Sequence, residues 1–422
     1  MERSRAQLVV RSVVVRASQL KEKLPTVPPS RGSSVVPLIH FICDSIATRA
    51  ERFGAQILTA PAEDVASYFR MLQQLLKVEV SLHDYVSKYR SEIDRHDLPV
   101  GLLYLVDSIA LDLLGSEFDP LIHTDSKRNY STDSLLHDLQ PLIKQCDGSY
   151  SETTKPIIFN VPALDPANAF LAPILVHEAA HTYLRTSTLV SEIQTAMPDK
   201  VQQLAEKYKK DTGSTWPHRI FDNWVAELLC DCIALLMTGP SFPLALSSLA
   251  ASFDAVPRSD THPYMLDRVA IMWRHMVVLG WDNLFAENLP TVAEWFHSMS
   301  YEDSDEANPE AILRQQAMAV GEVLLDICGP HVRHKLEHDR FHATSEVIQS
   351  SIRDKVPPAE VNGEAPSPWS VVLSGWLVAL EDVADPLDLA TVVGDDDLSR
   401  FLVKTMELAA IVELWRNEHS RS

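Results

Sequence analysis

The amino-acid sequence predicts a mainly α-helical protein of the α+β type, with one small β-sheet. Between residues 62 and 93, apolar side chains recur at intervals of three and four, which predicts one long amphipathic helix. The same spacing predicts further helices over 102–114, 309–327 and 397–415. Because helical patterns dominate the chain and strand patterns are few, we expect helices to form most of the core.

Two short segments carry patterns typical of strands. The apolar run around Val13, within 8–15, predicts an N-terminal strand, and 156–161 (PIIFNV) predicts a second strand after a polar turn. We expect the second to lie at the edge of its sheet, where an extended peptide could add as a further strand. The alternative is an ordinary structural strand.

Composition excludes several classes of function. The 422 residues include 37 basic and 58 acidic side chains, so the formal net charge of −21 disfavours nucleic acid as a partner. The longest apolar stretch, 369–380, is 12 residues long, whereas a membrane span needs about 20. Five cysteines without a CxxC motif favour a reducing compartment, and we expect a cytoplasmic protein with no membrane span.

The segment from 156 to 184 carries the chemistry. Asp165 followed by Pro166 predicts a helix start, and the following residues are apolar on nearly every side. Within this helix His177 and His181 lie one turn apart on one face, so that both rings could bind one metal ion. Glu178 lies about 100° around the helix from His177, within reach of a water on that metal.

The alternative for this HExxH string is a pair of core histidines bonded to their neighbours. Buried histidine and glutamate side chains without partners are costly, and a zinc ion would supply the missing interactions. A catalytic zinc site needs a third protein ligand and an open position. Because Leu184 and Ser187 stand where a metzincin would have glycine and histidine, that class is excluded.

A second apolar helix offers the third ligand. In NWVAELLCDCIALLMTGP, Glu227 and Asp231 are four residues apart on one helical face, and Gly239 follows near the end. We expect Glu227 to bind the metal and Asp231 to accept the remaining N–H of a ligand histidine. The alternative is a pair of structural acids bonded to helix caps or to an arginine.

A third element lies downstream, at Thr261-His262-Pro263 with Arg268 six residues after the histidine. Beside a zinc site these two cationic or donor side chains could stabilise the oxyanion that develops during peptide hydrolysis. Taken alone, the same residues would describe a helix-capping turn.

In this order, HEAAH, ELLCD and THPYMLDR resemble the motifs of gluzincin metallopeptidases grouped with the prenyl-protein (CAAX) endopeptidases and the bacterial heat-shock membrane protease. The resemblance covers roughly 156–279. It implies three zinc ligands, a catalytic base and two side chains that stabilise the tetrahedral intermediate. In that order these are His177, His181 and Glu227, then Glu178, then His262 and Arg268.

The sequence therefore predicts a zinc-dependent metallopeptidase that binds one Zn²⁺ and cleaves a peptide or protein substrate. We expect a zincin-like catalytic core over 151–284, between helical regions at 1–150 and 285–422. Two alternatives remain open. One is a metal-stabilised regulatory or binding module without hydrolysis, and the other is a zinc hydrolase of small amides or esters.

A second histidine-rich segment carries the inverted motif HxxEH at His334, Glu337 and His338. Its flanking residues are charged, whereas a catalytic zinc helix should be buried. We therefore interpret this segment as a solvated surface rather than a metal site.

Overall fold

The computed structural model describes residues 2–24, 34–93, 98–125, 130–134, 155–163, 168–197, 199–213, 216–252, 261–298, 309–382 and 388–419. The chain divides into two compact units, one made of 1–97 with 115–164 and the other of 98–114 with 165–422. The mainly α-helical class predicted from the sequence is confirmed. The three consecutive regions inferred from the sequence stay a prediction.

The first unit contains three long helices that pack against one another: α1 (Glu2–Glu22), α2 (Val35–Thr59) and α3 (Ala62–Ile93). The bounds of α3 match the predicted helix. The N-terminal strand prediction is wrong, because residues 8–15 lie inside α1. The buried side chains of α1 recur with helical spacing, which the short valine run conceals; they are Ala6, Val13, Ala17 and Leu20.

A three-stranded sheet completes the first unit, with β1 (Phe118–Asp125), β2 (Ser131–Ser134) and β3 (Lys155–Pro162). The strand predicted over 156–161 is confirmed as β3, but its predicted edge position is wrong. β3 pairs in parallel with β1 on one side and antiparallel with β2 on the other. Residues 156–161 of β3 are all buried, as expected of a strand that is covered on both faces.

In the described part of the second unit the regular elements are helices, and one isolated β-bridge joins Val361 to Glu364. α4 (Val100–Ile109) continues into a π-helical turn (Ala110–Leu114), and together they account for the predicted helix over 102–114. The further helices are α5 (Pro173–Leu184), α6 (Leu189–Ala196), α7 (Asp199–Thr212), α8 (Trp216–Thr238), α9 (Ser241–Ser252), α10 (Met265–Val278), α11 (Asp282–Asn288), α12 (Pro290–Ser298), α13 (Pro309–Cys328), α14 (His338–Arg353), α15 (Pro368–Asp382), α16 (Leu389–Val393) and α17 (Asp396–His419). The predicted helices over 309–327 and 397–415 are confirmed as α13 and α17.

α5 begins later than predicted. The sequence places the helix start at Asp165 and Pro166, two residues that lie outside the described part of the chain. Residues 169–172 form turns, so the helix predicted through them is wrong, and the regular helix begins at Pro173. Proline suits a first helical position, because the N–H that it lacks would have no partner there.

Asn168 explains the turns that precede α5. Its side-chain oxygen accepts hydrogen bonds from the backbone N–H groups of Phe170 (3.1 Å) and Leu171 (3.3 Å), which fold the chain back locally. Its side-chain amide donates to the carbonyl oxygen of Val393 at 2.9 Å. Asparagine therefore fixes the approach to α5 within the second unit.

α5 and α8 pack closely against each other. The two histidines on α5 thereby lie next to the two acidic side chains on α8. α8 ends at Thr238, where the predicted glycine follows with φ of 61°. A Cβ atom at Gly239 would lie 2.9 Å from a methyl of Leu336 and 3.2 Å from the Trp281 ring. Both the backbone conformation and the close packing therefore require glycine here.

Two further findings concern the apolar helices and the cysteines. Within the described ranges, no helix combines the length and the apolar character that a bilayer span requires. Four cysteines are buried free thiols (Cys43, Cys230, Cys232 and Cys328), and Cys146 lies outside the described residues. The cytoplasmic location stays a prediction.

Candidate metal centre

Helices α5 and α8 bring the three predicted metal ligands to one point. The Nε2 atom of His177 lies 3.4 Å from Oε2 of Glu227, and Nε2 of His181 lies 3.3 Å from Oε1 of the same carboxylate. One ligand atom from each of the three side chains lies within 4.8 Å of the others. This buried His-His-Glu group could bind a metal ion.

Each histidine Nε2 lies at a tetrahedral donor spacing from one oxygen of Glu227, and the two distances run to different oxygens of that carboxylate. Tetrahedral bonds of about 2.0–2.1 Å place neighbouring donor atoms roughly 3.3–3.4 Å apart, and the two nitrogen-to-oxygen distances are 3.4 and 3.3 Å. Oε2 of Glu227 is also buried without a hydrogen bond of ordinary geometry. Its nearest donors are Nε2 of His177 at 3.4 Å and Nη2 of Arg268 at 3.5 Å, and a bound cation would give this buried oxygen a closer partner.

Asp231 lies next to the Nδ1 atom of His177, and Arg268 in turn binds Asp231. Oδ1 of Asp231 lies 3.0 Å from Nδ1 of His177, on the side of the ring opposite the atom that faces Glu227. The Arg268 guanidinium donates to both oxygens of Asp231, from Nε at 2.7 Å and from Nη2 at 2.6 Å. This two-point pairing fixes the plane of the carboxylate and, through it, the orientation of His177.

Burial and pairing compete in the pKa values of this network. Burial opposes the charged form of His177, but hydrogen bonds with Asp231 and Glu227 outweigh it and raise the pKa to about 9. Burial would raise the pKa of Asp231, yet Arg268 and His177 hold it well below the usual range. The pKa of Glu227 is lowered in the same way, mainly through His177. Both carboxylates therefore stay ionised beside the histidine pair.

His181 differs from His177. Burial, followed by the charge of His177, lowers the pKa of His181 to about 4, so its imidazole is neutral at ordinary pH. A neutral imidazole has the free lone pair that a metal ligand needs. The His181 side chain is 28% exposed, whereas that of His177 is 7% exposed, so His181 marks the solvent side of the centre.

Glu178 lies on α5 directly after the first histidine and is half-buried. Burial raises the pKa of its carboxyl to about 7; Glu227 adds to this rise, while His177 and Arg268 oppose it. A carboxyl group with a pKa near neutrality both accepts and releases protons readily, as general acid–base chemistry requires.

His262 reaches the centre from the turn before α10. Its Nε2 atom lies 3.5 Å from Oε1 of Glu227, and its side chain is 47% exposed. Oγ1 of Thr261 lies 2.8 Å from Nδ1 of His262. When the threonine hydroxyl donates to Nδ1, the proton of the neutral ring lies on Nε2, which faces the centre.

Arg268 and His262 therefore occupy different places around Glu227. The Arg268 guanidinium is buried, and one of its nitrogens lies 3.5 Å from Oε2 of Glu227 while the group is engaged by Asp231. His262 lies on the exposed side, next to Oε1. All seven predicted site residues belong to the second unit.

The sequence reasoning missed one side chain that touches the centre. The ring of Phe242, at the start of α9, stacks on the imidazole of His177 with centroids 5.7 Å apart and planes 15° from parallel. It thereby restricts the rotation of that ring. No motif or spacing distinguishes Phe242 from any other apolar residue, so only the packing of α9 could have identified it.

The inverted motif forms no comparable group. His334 and Glu337 are exposed, and His338 begins α14. In the described part of the chain, His177, His181 and Glu227 form the one group of at least three histidine, cysteine or acidic side chains whose ligand atoms converge.

Comparison of the chain with protein-family models, with curated proteins and with solved structures finds no match. The resemblance to gluzincins therefore depends on the three motifs alone.

Proposed function

We propose that this protein is a zinc-dependent metallopeptidase of the gluzincin type. The observation that carries the proposal is the convergence of two histidine Nε2 atoms on the two oxygens of Glu227, at 3.4 and 3.3 Å. Two histidines and one carboxylate are the ligand set of catalytic zinc sites in peptidases, which retain an open position for water or substrate.

His177, His181 and Glu227 would hold the ion. Zinc bound there lowers the pKa of a water ligand toward about 7 and polarises the scissile carbonyl. The surrounding residues hold the ligand side chains in place. Asp231 orients His177, and Phe242 packs on its ring.

Glu178 is the general base in this proposal. Its carboxylate accepts a proton from the attacking water and then donates it to the amine that leaves as the peptide bond breaks. Its raised pKa, about 7, suits both steps. Its position on α5 next to His177 keeps the carboxylate beside the metal ligands.

His262 is the donor that we assign to the oxyanion of the tetrahedral intermediate, because its Nε2 faces Glu227 from the exposed side. Arg268 acts through another residue. Since its guanidinium binds both oxygens of Asp231, it positions His177 rather than substrate.

Solvent access favours hydrolysis over a purely structural metal site. The side chains of His181 and His262 are 28% and 47% exposed, whereas a structural zinc site is closed by four protein ligands. A structural site would also have no use for a carboxyl group such as Glu178.

Replacement of the base tests the proposal. In Glu178→Gln we expect one zinc per chain by metal analysis, as in the wild type, and cleavage of a peptide library at least about 100-fold slower. The matched control is Glu346→Gln, an exposed glutamate of α14, which should retain both properties. Undiminished cleavage by Glu178→Gln would refute the base assignment, and a wild-type protein without zinc would refute the metal assignment. Parallel assays with small amides and esters distinguish a peptidase from a small-molecule hydrolase.

A further inference from the structure

The second unit contains a cleft of about 830 Å³ that is not the metal centre. Its walls come from α4 with the π-helical turn, from α17, and from the segments 333–340 and 364–369. Cavities of roughly 300–1,000 Å³ are the usual size for ligand sites. We call this cavity the charged cleft.

The floor of the charged cleft is apolar. Met237, Leu336 and Trp369 line it and are buried, at 1%, 8% and 5% exposure. Met237 lies in the last turn of α8, two turns beyond the metal-binding part of that helix. These apolar side chains expose little surface, so the charged walls would provide most of the contacts with a ligand and determine its orientation.

One wall of the charged cleft is acidic. Asp107 and Asp112 line it from α4 and the π-helical turn, and Glu413, which accepts a hydrogen bond from the Tyr104 hydroxyl, lines it from α17. Burial, together with the charge of Glu413, raises the pKa of Asp112, although His334 and a hydrogen bond from Ser108 oppose the rise. A cationic ligand group would stabilise these carboxylates.

A second wall of the charged cleft is basic. Arg333, Lys335 and Arg340 line it from one segment, which also carries the acidic Glu337. Within the described residues, neither Arg333 nor Lys335 forms an ion pair with a carboxylate. Arg340 lies 3.6 Å from Glu364, and both side chains are more than 70% exposed, so this pair is weak.

Other charges of the charged cleft also have partners within the protein. Arg416 lies 2.8 Å from a carboxylate oxygen of Glu360 and donates to the Gly363 carbonyl at 2.7 Å. Nδ1 of His334 lies 3.5 Å from Oδ1 of Asp112, which joins the basic segment to the acidic wall. The two walls are therefore held next to each other with opposite net charge.

We propose that the charged cleft binds a dipolar peptide segment, with a cationic side chain toward Asp107, Asp112 and Glu413 and a carboxylate toward Arg333, Lys335 and Arg340. The apolar floor would contact the part of the peptide between the two charges. A polyanion such as nucleic acid is repelled by the acidic wall, and a polycation by the basic wall. The site is distinct from the metal centre and needs no metal.

Calorimetric titration of the full chain tests the proposal, with three blocked tetrapeptides as probes: Lys-Ala-Ala-Glu, Lys-Ala-Ala-Lys and Glu-Ala-Ala-Glu. The titrations use the Glu178→Gln protein, so that no probe is hydrolysed. We expect Lys-Ala-Ala-Glu to bind at least about tenfold more tightly than the other two. A longer peptide that carries the same four residues in its interior tests whether the charged cleft also binds this sequence within a chain.

Charge reversal of one wall sharpens the test. In the double variant Arg333→Glu/Lys335→Glu, both walls are acidic. Lys-Ala-Ala-Lys should then bind more tightly than the other two probes. Arg400→Glu, at an exposed arginine outside the charged cleft, is the matched control and should retain the original order.

Equal affinity for the three probes, absence of saturable binding up to millimolar concentration, or an unchanged order after charge reversal would each overturn the proposal. Because hydrolysis plays no part in these titrations, their failure would leave the metallopeptidase proposal standing. A protein without peptidase activity could likewise still bind the dipolar probe.

Discussion

The metal centre and the charged cleft both contain ionised groups of opposite sign, but they use them differently. In the metal centre, Asp231 and Arg268 are 2% and 4% exposed and their atoms approach to 2.6 Å. In the charged cleft, Arg340 and Glu364 are 73% and 75% exposed and lie 3.6 Å apart. The first pair is a fixed part of the structure. In the second pair, either side chain can release the other and bind a ligand instead.

Burial is the physical cause of this difference. Removing a carboxylate and a guanidinium from water is costly, so a buried pair persists only when it is closely and completely bonded. Exposed charges keep their hydration and gain little from each other, since water and salt screen the attraction. The metal centre therefore holds a rigid geometry, and the charged cleft keeps charge available for recognition.

The largest expected effect comes from removing one member of the buried pair formed by Asp231 and Arg268. Asp231→Leu and Arg268→Met each leave one buried charge without its partner, and we expect each to lower the free energy of unfolding by about 3–5 kcal/mol. The double variant leaves neither charge behind. Its loss should be smaller than the sum of the two single losses, as measured by urea unfolding.

Additive losses in this double-mutant cycle would contradict the interpretation, because they would mean that the two side chains do not depend on each other. The same variants also report on the metal. Since Asp231 orients His177, the Asp231→Leu protein should bind zinc about 10–100-fold more weakly than the wild type.

Much of the metal centre was predictable from the sequence because it lies on two helices. The spacing of His177 and His181, and of Glu227 and Asp231, fixes which side chains share a face once the helix is assumed. The apolar residues around them identify both helices as buried. Their mutual packing was the one long-range assumption, and the structure brings all four side chains together.

The features that could not be predicted depend on contacts between distant parts of the chain. Asn168 sets the start of α5 partly through Val393, which is 225 residues away. β3 is central rather than peripheral because β1 and β2 flank it, and no pattern within β3 records that. The charged cleft likewise combines residues from five separate segments of the chain, and no pattern within any one of them indicates a cavity.

An intermediate effect is expected from the metal itself. A ligand that binds only the folded state stabilises it by about 2.7 kcal/mol at 100 times its dissociation constant. Zinc at that concentration should therefore raise the melting temperature of the wild type and of Glu178→Gln equally, and a chelator should reverse the change. His181→Ala removes one ligand, and its melting temperature should rise much less at the same zinc concentration.

A zinc-dependent rise of equal size in His181→Ala would show that the ion binds elsewhere on the chain. The inverted motif supplies the control for this outcome. His334→Ala removes a histidine that is exposed and outside the metal centre, so the stabilisation by zinc should be unchanged.

The smallest effect is expected from the exposed pair of the charged cleft. Arg340→Ala and Glu364→Ala should each change the free energy of unfolding by less than about 1 kcal/mol, because both side chains are largely hydrated. The coupling between them in a double-mutant cycle should decrease further in 1 M salt, where the screening length is about 3 Å. The Asp231–Arg268 coupling should persist in the same salt, since buried pairs are screened much less. A salt-resistant coupling between Arg340 and Glu364 would mean that their charges are committed to each other, and Arg340 would then not be available to a peptide carboxylate.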